Sequence, residues 1–434
     1  MTAPSRRPVG IRDVLRLRDY RQIWMGQAVS DIGDGTTFLL LLLVVNELTH
    51  STTALAIMSI ALVVPKFTVG LLAGVFVDRW DRRRTMLGAD LLRMVVVLGF
   101  AGAAMAGQVW LLVVLGLLES AIGSFFTPAR GALIPHVVPR EALPSANSLS
   151  QATMVVASVI GSAIAGVLFG VYHAAWPGFV LDAATFGISF LVVLRVSPLA
   201  GRISPDESGP REAAGGVLRA MRAGAAVVRG SRLLTGTLLA ATVTMLGLGA
   251  VNVLFVPLLV DELHVSPAWM AAVDGAQALS IVMAAAVVAR LMARVAVTTI
   301  ITGALTGLAL FTLALAGVTS IWQVIGLLFV VGWFTTPLQA ATATIVQTAV
   351  PDQLRGRTVS LLSASMSTAN VASMGLAGIF ADLLTTRTVY LLAAGVCGSA
   401  ALLAYVLFRG IRTVDAAPVA DGGLPETAGA RPKP

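Results

Sequence analysis

The chain has 434 residues, of which 57% are hydrophobic and only 12% are charged. With a mean hydropathy of +0.87, it has more apolar surface than one soluble core can bury, and this predicts an integral membrane protein. The net charge of +8 does not indicate a nucleic-acid-binding protein, because the basic residues lie in short clusters between apolar runs and form no aromatic and basic face for reading bases.

In chain order, residues 1–21 form a polar segment with six arginines, predicted to be a cytoplasmic N-terminal segment. The apolar run that follows contains two aspartates and is too long for a signal peptide. Each later run can cross a hydrocarbon core of about 30 Å. The twelve predicted spans are 22–47, 54–77, 85–106, 110–129, 147–170, 177–195, 233–258, 268–290, 297–317, 321–341, 358–381 and 388–408.

The one long connection, 196–232, is rich in Gly, Pro, Ser and Arg and is predicted to be a cytoplasmic linker. It divides the spans into two six-helix bundles, 22–195 and 233–408, and residues 409–434 are predicted to be a disordered cytoplasmic tail. Val138-Pro139 recurs as Val350-Pro351, and 165–169 recurs loosely as 377–380, both at an offset of 212 residues. These repeats favour a duplicated half.

Basic residues indicate the orientation in the membrane. If the N-terminus is inside, 27 of the 30 Lys and Arg fall in cytoplasmic segments. Only Arg387 falls in an outer loop, while Lys66 and Arg93 lie inside spans. The excess predicts a multi-pass protein of the cell membrane with both termini in the cytoplasm.

A dense charge cluster separates the second and third spans. It reads Gly-x-x-x-Asp-Arg-x-x-Arg-Arg from Gly74 to Arg83, and it resembles the signature loop of the major facilitator superfamily. The resemblance implies an all-α fold with twelve transmembrane helices in two parallel six-helix bundles. It also implies a gating loop formed by Gly74, Asp78, Arg79, Arg82 and Arg83.

Further motifs narrow the resemblance. Residues 126–135, 139–147 and Ile32-Gly33-Asp34 are similar to the third drug:proton antiporter family, which includes macrolide and tetracycline efflux pumps and the enterobactin exporter. The chain departs from the family's Gly-Pro-x-x-Gly-Gly motif, because residues 161–166 have no proline and have Ala165 for one glycine. Asp81 also stands where the superfamily pattern has glycine. The resemblance implies transport, whereas the substrate does not follow from the fold.

Ionisable side chains within the spans are the candidate site, because each is costly in the bilayer unless it is paired or faces a cavity. Asp31 and Asp34 lie three residues apart, so both project from one face of the first span. At about 1.5 Å per residue, Asp34, Lys66 and Glu119 reach one depth. We expect Lys66 to pair with an aspartate of the first span. Glu119 is then the more easily protonated group, and Glu119→Gln should abolish proton-driven export while the substrate still binds.

Other candidates have simpler interpretations. Asp90 and Arg93 are three residues apart, which favours a local pair that anchors the hinge. Asp274 either extends the polar path outward or is a rim aspartate near water. The four histidines fall in or next to loops, and Cys397 is the only cysteine, so no metal site and no cofactor are predicted.

The predicted function is secondary active export of small amphipathic molecules, such as drugs or natural products, by proton-coupled antiport and alternating access. A siderophore or lysophospholipid transporter of the same fold is the alternative, and an intramembrane enzyme or receptor is more remote, because the spans hold no nucleophile with a base or metal cluster. The expected partners are the small-molecule substrate, protons and the lipid bilayer, with no nucleic acid, and the protein is expected to be a monomer. Asp78→Asn is predicted to favour inward-facing states and to lower export.

Overall fold

The computed structural model describes residues 10–77, 79–198, 222 and 224–410. In this part of the chain a short helix, Ile11–Arg16, precedes twelve long helices. Their bounds are α1 Arg18–Thr49, α2 Thr52–Val77, α3 Arg82–Met105, α4 Val109–Val137, α5 Leu143–Tyr172, α6 Trp176–Val193, α7 Arg232–Pro257, α8 Met270–Met292, α9 Val297–Leu315, α10 Ile321–Ala349, α11 Asp352–Leu383 and α12 Thr386–Phe408.

Eleven of the long helices are apolar enough to cross a membrane. The twelfth, α11, has a charged first turn and a middle rich in serine and threonine, which lowers its hydropathy below that of a typical span. The predicted all-α polytopic fold is confirmed. Asp78, most of the predicted linker, and residues 1–9 and 411–434 of the predicted terminal segments lie outside the described residues.

Several helices continue past the ends of the predicted spans. The predicted spans 110–129 and 321–341 correspond to α4 and α10, which end at Val137 and Ala349. The apolar run ends where the hydrocarbon ends, but the backbone hydrogen bonds of the helix do not depend on that boundary. Pro128 and Pro135 both lie inside α4, so proline did not mark its end.

The Val-Pro repeat has the same backbone conformation in both places. Val138 follows α4 with φ −124° and ψ 128°, and Val350 follows α10 with φ −116° and ψ 128°. Pro139 and Pro351 then both have φ −55°. Helical backbone is disfavoured for a residue before proline, and here both valines are extended, so each Val-Pro pair ends one helix and turns the chain toward the next.

The helices form two sets, α1–α6 and α7–α12, and most packing is within a set. We call the end of the molecule that carries the turn 79–81 the arginine-rich end, and the opposite end, which carries the turns at His50 and His173, the far end. Within the first set α1 packs closely on α5, since a Cβ on Gly161 would lie 2.6 Å from the carbonyl oxygen of Ile32.

Contacts between the two sets are concentrated at the far end. Asp382 of α11 accepts hydrogen bonds from the first turn of α2, at 2.9 Å from the Thr52 amide and 3.0 Å from the Ser51 hydroxyl. The Asn46 amide donates to both carboxylate oxygens of Asp261. At the arginine-rich end no hydrogen bond or ion pair joins described residues of the two sets. The molecule is therefore closed at the far end.

Candidate functional site

Three charged side chains meet between α1, α3 and α4. The Arg93 guanidinium donates from Nη2 to Asp34 Oδ1 at 2.6 Å and from Nε to Glu119 Oε1 at 2.7 Å, and Nη2 also contacts Glu119. The side chains of Arg93 and Glu119 are 9% and 13% exposed, whereas that of Asp34 is 37% exposed. The trio is thus a buried ion cluster with one carboxylate open to the space between the helices.

The surrounding helices hold Arg93 in place. Its guanidinium lies 4.2 Å from the centre of the Phe186 ring on α6, a cation–π contact. Gly123 on α4 lies beside it, and a Cβ there would lie 3.5 Å from Arg93 Nε, an ordinary contact distance. Leu92, the chain neighbour of Arg93, is 55% exposed on the outer surface of α3. At this level α3 therefore directs Leu92 outward and Arg93 inward.

Lys66 does not form the predicted ion pair, so that prediction is wrong. Its side chain is exposed, and among the described residues it has no carboxylate within salt-bridge distance. Arg93 binds Asp34 instead. Chain order did not show which basic residue would face the first span, and the planar guanidinium can bind two carboxylates at once, which suits it to this position.

The predicted local pair of Asp90 and Arg93 is also wrong. Asp90 is fully buried and accepts a hydrogen bond of 2.7 Å from the Ser189 hydroxyl on α6. Its other carboxylate oxygen has no partner among the described residues. Because Asp90 and Arg93 are three residues apart, they lie near one face of α3. Arg93 instead binds two carboxylates, Asp34 on α1 and Glu119 on α4, whose combined negative charge exceeds its own positive charge.

Asp182 on α6 is a site residue that the sequence reasoning missed. It is 1% exposed and accepts hydrogen bonds from the hydroxyls of Thr37 at 2.5 Å and Thr185 at 3.0 Å. No described basic residue lies within salt-bridge distance of it. A lone carboxylate inside the apolar run 177–195 was the signal that could have found it, because a buried charge without a partner is costly.

The remaining predicted cavity residues lie apart from the trio. Asp31 accepts a hydrogen bond of 3.1 Å from Gln27 on the same helix. Asp274 lies on α8, in the second set of helices. The structure therefore brings together Asp34 and Glu119 of the predicted group and leaves Asp31, Asp274 and Lys66 outside direct contact with them.

The predicted gating loop is partly described. Asp78 lies outside the described residues. Arg82 is buried and contacts the His136 ring of α4 at 2.8 Å, while Arg83 donates to the carbonyl oxygens of Val193 at 3.3 Å and Leu194 at 2.7 Å at the end of α6. Both arginines thus fix α3 to its neighbours. Arg79 is exposed, and a Cβ on Gly74 would meet nothing within 4 Å.

A family model described as transmembrane secretion effector matches residues 13–426 of the chain. Macrolide efflux protein A of Streptococcus pyogenes is 30% identical over 249 residues, which are 56% of this chain and 60% of that protein. The multidrug efflux pump Tap of Mycobacterium tuberculosis is 27% identical over 405 residues, 90% of this chain and 93% of that protein. The match to Macrolide efflux protein A thus spans less than two thirds of its length.

Two solved structures have the same fold at low sequence identity. The nucleoside transporter NupG superposes with a TM-score of 0.70 at 12% identity and covers 90% of this chain and 99% of that chain. A bacterial homologue of the iron transporter ferroportin in an inward-facing state superposes with a TM-score of 0.71 at 15% identity, covering 91% and 98%. The family and these structural neighbours are transporters and not enzymes. The chain therefore belongs to the transmembrane secretion effector family of the major facilitator superfamily.

Proposed function

We propose that this protein is a secondary active exporter of small amphipathic molecules, drugs or natural products, driven by inward movement of protons. The family and the efflux names of its relatives support export. The observation that carries the proposal is the trio of Asp34, Arg93 and Glu119, a partly exposed ion cluster that an inert bundle of helices would have no reason to keep.

The orientation supports export from the cytoplasm. Because 27 of the 30 Lys and Arg fall in segments assigned to one side, we place the arginine-rich end and both termini in the cytoplasm of the cell. The far end, where Asp382 and Asp261 join the two sets, then faces outward and is closed. An exporter that is closed at its outer end takes up substrate from the cytoplasm, and alternating access then requires those far-end contacts to break.

The trio explains how proton and substrate exchange. One arginine and two carboxylates have a net charge of −1, and an unbalanced charge is unfavourable in a poorly solvated site. Either one proton or one cationic substrate balances it, so the two compete for the same charge. The proton belongs to the coupled group and not to Glu119 alone, which revises the assignment made from the sequence. Asp34, the more exposed carboxylate, is the one that meets substrate.

The test uses purified protein in proteoliposomes, with ethidium and erythromycin as probes. Glu119→Gln leaves Asp34 and Arg93 as a neutral pair, so we expect it to abolish uphill transport and probe-induced proton release. Ethidium should still bind at the exposed Asp34, but more weakly than to the native protein, because the pair has no net negative charge. Asp34→Asn should abolish both transport and ethidium binding. Asp352→Asn, at an exposed position at the start of α11, is the matched control and should transport normally.

Uphill transport by Glu119→Gln at the native rate would rule out the trio as the proton site, and Asp182 would be the next carboxyl to test. The second candidate function, a siderophore or lysophospholipid transporter, is tested by a separate assay. Lysophosphatidylglycerol added to the same proteoliposomes should not be exported. If it is exported and the two cationic probes are not, the lipid transporter is correct.

A further inference from the structure

A groove on the outer surface of the first helix set lies outside the function proposed above. It runs between α3 and α4 and encloses about 710 Å³. Its walls are apolar along most of their length, from Ala89 and Leu92 on α3 to Leu118 and Ile122 on α4. Leu92 and Leu118 are 55% and 44% exposed, so no other described segment covers this face, and in a membrane it would face the hydrocarbon.

The groove is charged at one end only. Arg79 and Arg84 line its mouth at the arginine-rich end, and both are exposed. Within the described part of the chain neither guanidinium forms a hydrogen bond or an ion pair. Asp81 also lines the mouth, but its carboxylate caps α3 by accepting from the Arg84 amide at 2.8 Å. The mouth thus presents two available guanidinium groups beside one carboxylate that already has a donor.

Aromatic rings form a wall at the depth of the membrane interface. Trp80 stacks on Phe125 of α4 with ring centres 6.0 Å apart and planes inclined by 16°, and it also contacts Phe76 at 5.4 Å. Tryptophan is typical of the level of lipid head groups. The guanidinium groups therefore lie at head-group depth, and the apolar groove continues for about 12 Å along α3 from Arg84 to Leu92 at about 1.5 Å per residue.

We propose that this groove binds one anionic phospholipid, with its phosphate at Arg79 and Arg84 and an acyl chain between α3 and α4. The occupant follows from charge and shape together, since basic pockets between spanning helices on the cytoplasmic side bind anionic head groups. The site adjoins the transport machinery. Leu92 and Leu118 line the groove, and their chain neighbours Arg93 and Glu119 form the ion pair that joins the same two helices.

The binding test does not depend on transport, so it can fail or succeed independently of the proposed function. Purified full-length protein is equilibrated in micelles with equal amounts of phosphatidylglycerol and phosphatidylcholine, and bound lipid is counted by native mass spectrometry. We expect one phosphatidylglycerol in preference to phosphatidylcholine. The double variant Arg79→Gln/Arg84→Gln should bind it about twenty-five-fold more weakly, since each basic residue near an anionic surface contributes a factor of about five.

Two further variants isolate the two halves of the site. Gly88→Phe fills the groove and keeps both arginines, and the backbone there can carry a side chain, because a Cβ on Gly88 has nothing within 4 Å. It should reduce phosphatidylglycerol binding and leave the melting temperature unchanged. Arg290→Gln/Arg294→Gln removes two exposed arginines from the same end of the molecule, outside the groove, and should bind like the native protein.

Four results would overturn the proposal. They are no preference for phosphatidylglycerol in the native protein, an equal loss in the Arg290→Gln/Arg294→Gln control, native binding by Gly88→Phe, and displacement of the lipid by soluble glycerol phosphate. The last result would indicate a phosphate site without an acyl chain. If Arg79→Gln/Arg84→Gln fails to fold, Gly88→Phe alone decides the outcome.

Discussion

The buried carboxylate of Asp182 leaves no space for a side chain at position 33, so this position must be glycine. A Cβ on Gly33 would collide with Asp182 Oδ1 and with the Thr185 hydroxyl. Asp182 cannot move aside easily, because its two oxygens are held by Thr37 and Thr185 in a site that is 1% exposed. The Ile32-Gly33-Asp34 motif therefore has a structural reason for its glycine, separate from the role of Asp34.

We expect Gly33→Ala to lower the free energy of unfolding by about 1–3 kcal/mol, the usual effect of overpacking a filled interior. The measurement is the melting temperature of the purified protein in detergent. Gly102→Ala on α3 is the matched control, because a Cβ there meets nothing within 4 Å. An equal melting temperature for Gly33→Ala and the native protein would show that Asp182 can rotate away.

Among the elements, α2 and α4 are joined beside the ion cluster. Pro65 lies inside α2, and proline removes a backbone hydrogen bond from a helix. Ser120 of α4 donates to the Leu62 carbonyl at 2.7 Å, and Ser124 donates to the Pro65 carbonyl at 3.2 Å. Ser120 follows Glu119 directly, so the same turn of α4 that carries the carboxylate is tied to α2.

Ser120→Ala should leave the Leu62 carbonyl without its side-chain donor in a buried place and lower the unfolding free energy by about 1 kcal/mol. Titration with a denaturing detergent measures it. Ser399→Ala is the control, since that exposed hydroxyl bonds only to its own helix at the Val396 carbonyl. A loss of stability no greater than that of Ser399→Ala would mean that the bond between α2 and α4 contributes nothing.

The positions of these helices along the chain were predictable from the sequence, but the contacts between them were not. The twelve apolar runs predicted the twelve long helices, because the hydropathy of a segment can be read directly from its residues and an apolar run of that length crosses a membrane as a helix. Glu119 and Asp34 were placed at one depth because the helix rise per residue is constant. The partner of Asp34 was not predictable, because it depends on how α1, α3 and α4 are rotated about their axes. The ends of α4 and α10 were missed for a related reason, since helices continue beyond the hydrocarbon.

At the scale of the whole molecule, the closed far end depends on Asp382. Asp382 lies just beyond the predicted span 358–381. Partial burial raises its pKa, but the hydrogen bonds from Thr52, Thr53 and Ser51 outweigh that effect and lower the pKa to about 2. A carboxylate whose pKa is lowered in the closed state stabilises that state at any pH above its ordinary pKa. It loses this stabilising effect only as the pH falls toward about 2. Protons at physiological pH therefore do not open this end by titrating Asp382.

Asp382→Asn should favour conformations that are open at the far end. Spin labels on Leu48→Cys and Leu383→Cys measure the separation of the two sets there, and both positions are exposed. Buried Cys397 leaves little competing reaction with the label. We expect a longer distance in Asp382→Asn and no change in Asp352→Asn at the other end of α11. An unchanged distance in Asp382→Asn would show that these hydrogen bonds do not hold the far end shut.

The closed far end also affects how tightly a blocking compound can bind from each side of the membrane. A compound aimed at the far end binds only molecules in which the bonds to Asp382 and Asp261 are broken. Its apparent affinity is therefore its affinity for the open molecules multiplied by the fraction of molecules that are open. A compound entering from the arginine-rich end has no such penalty. Screens for blockers of the far side should therefore use the Asp382→Asn protein, in which weak hits become measurable.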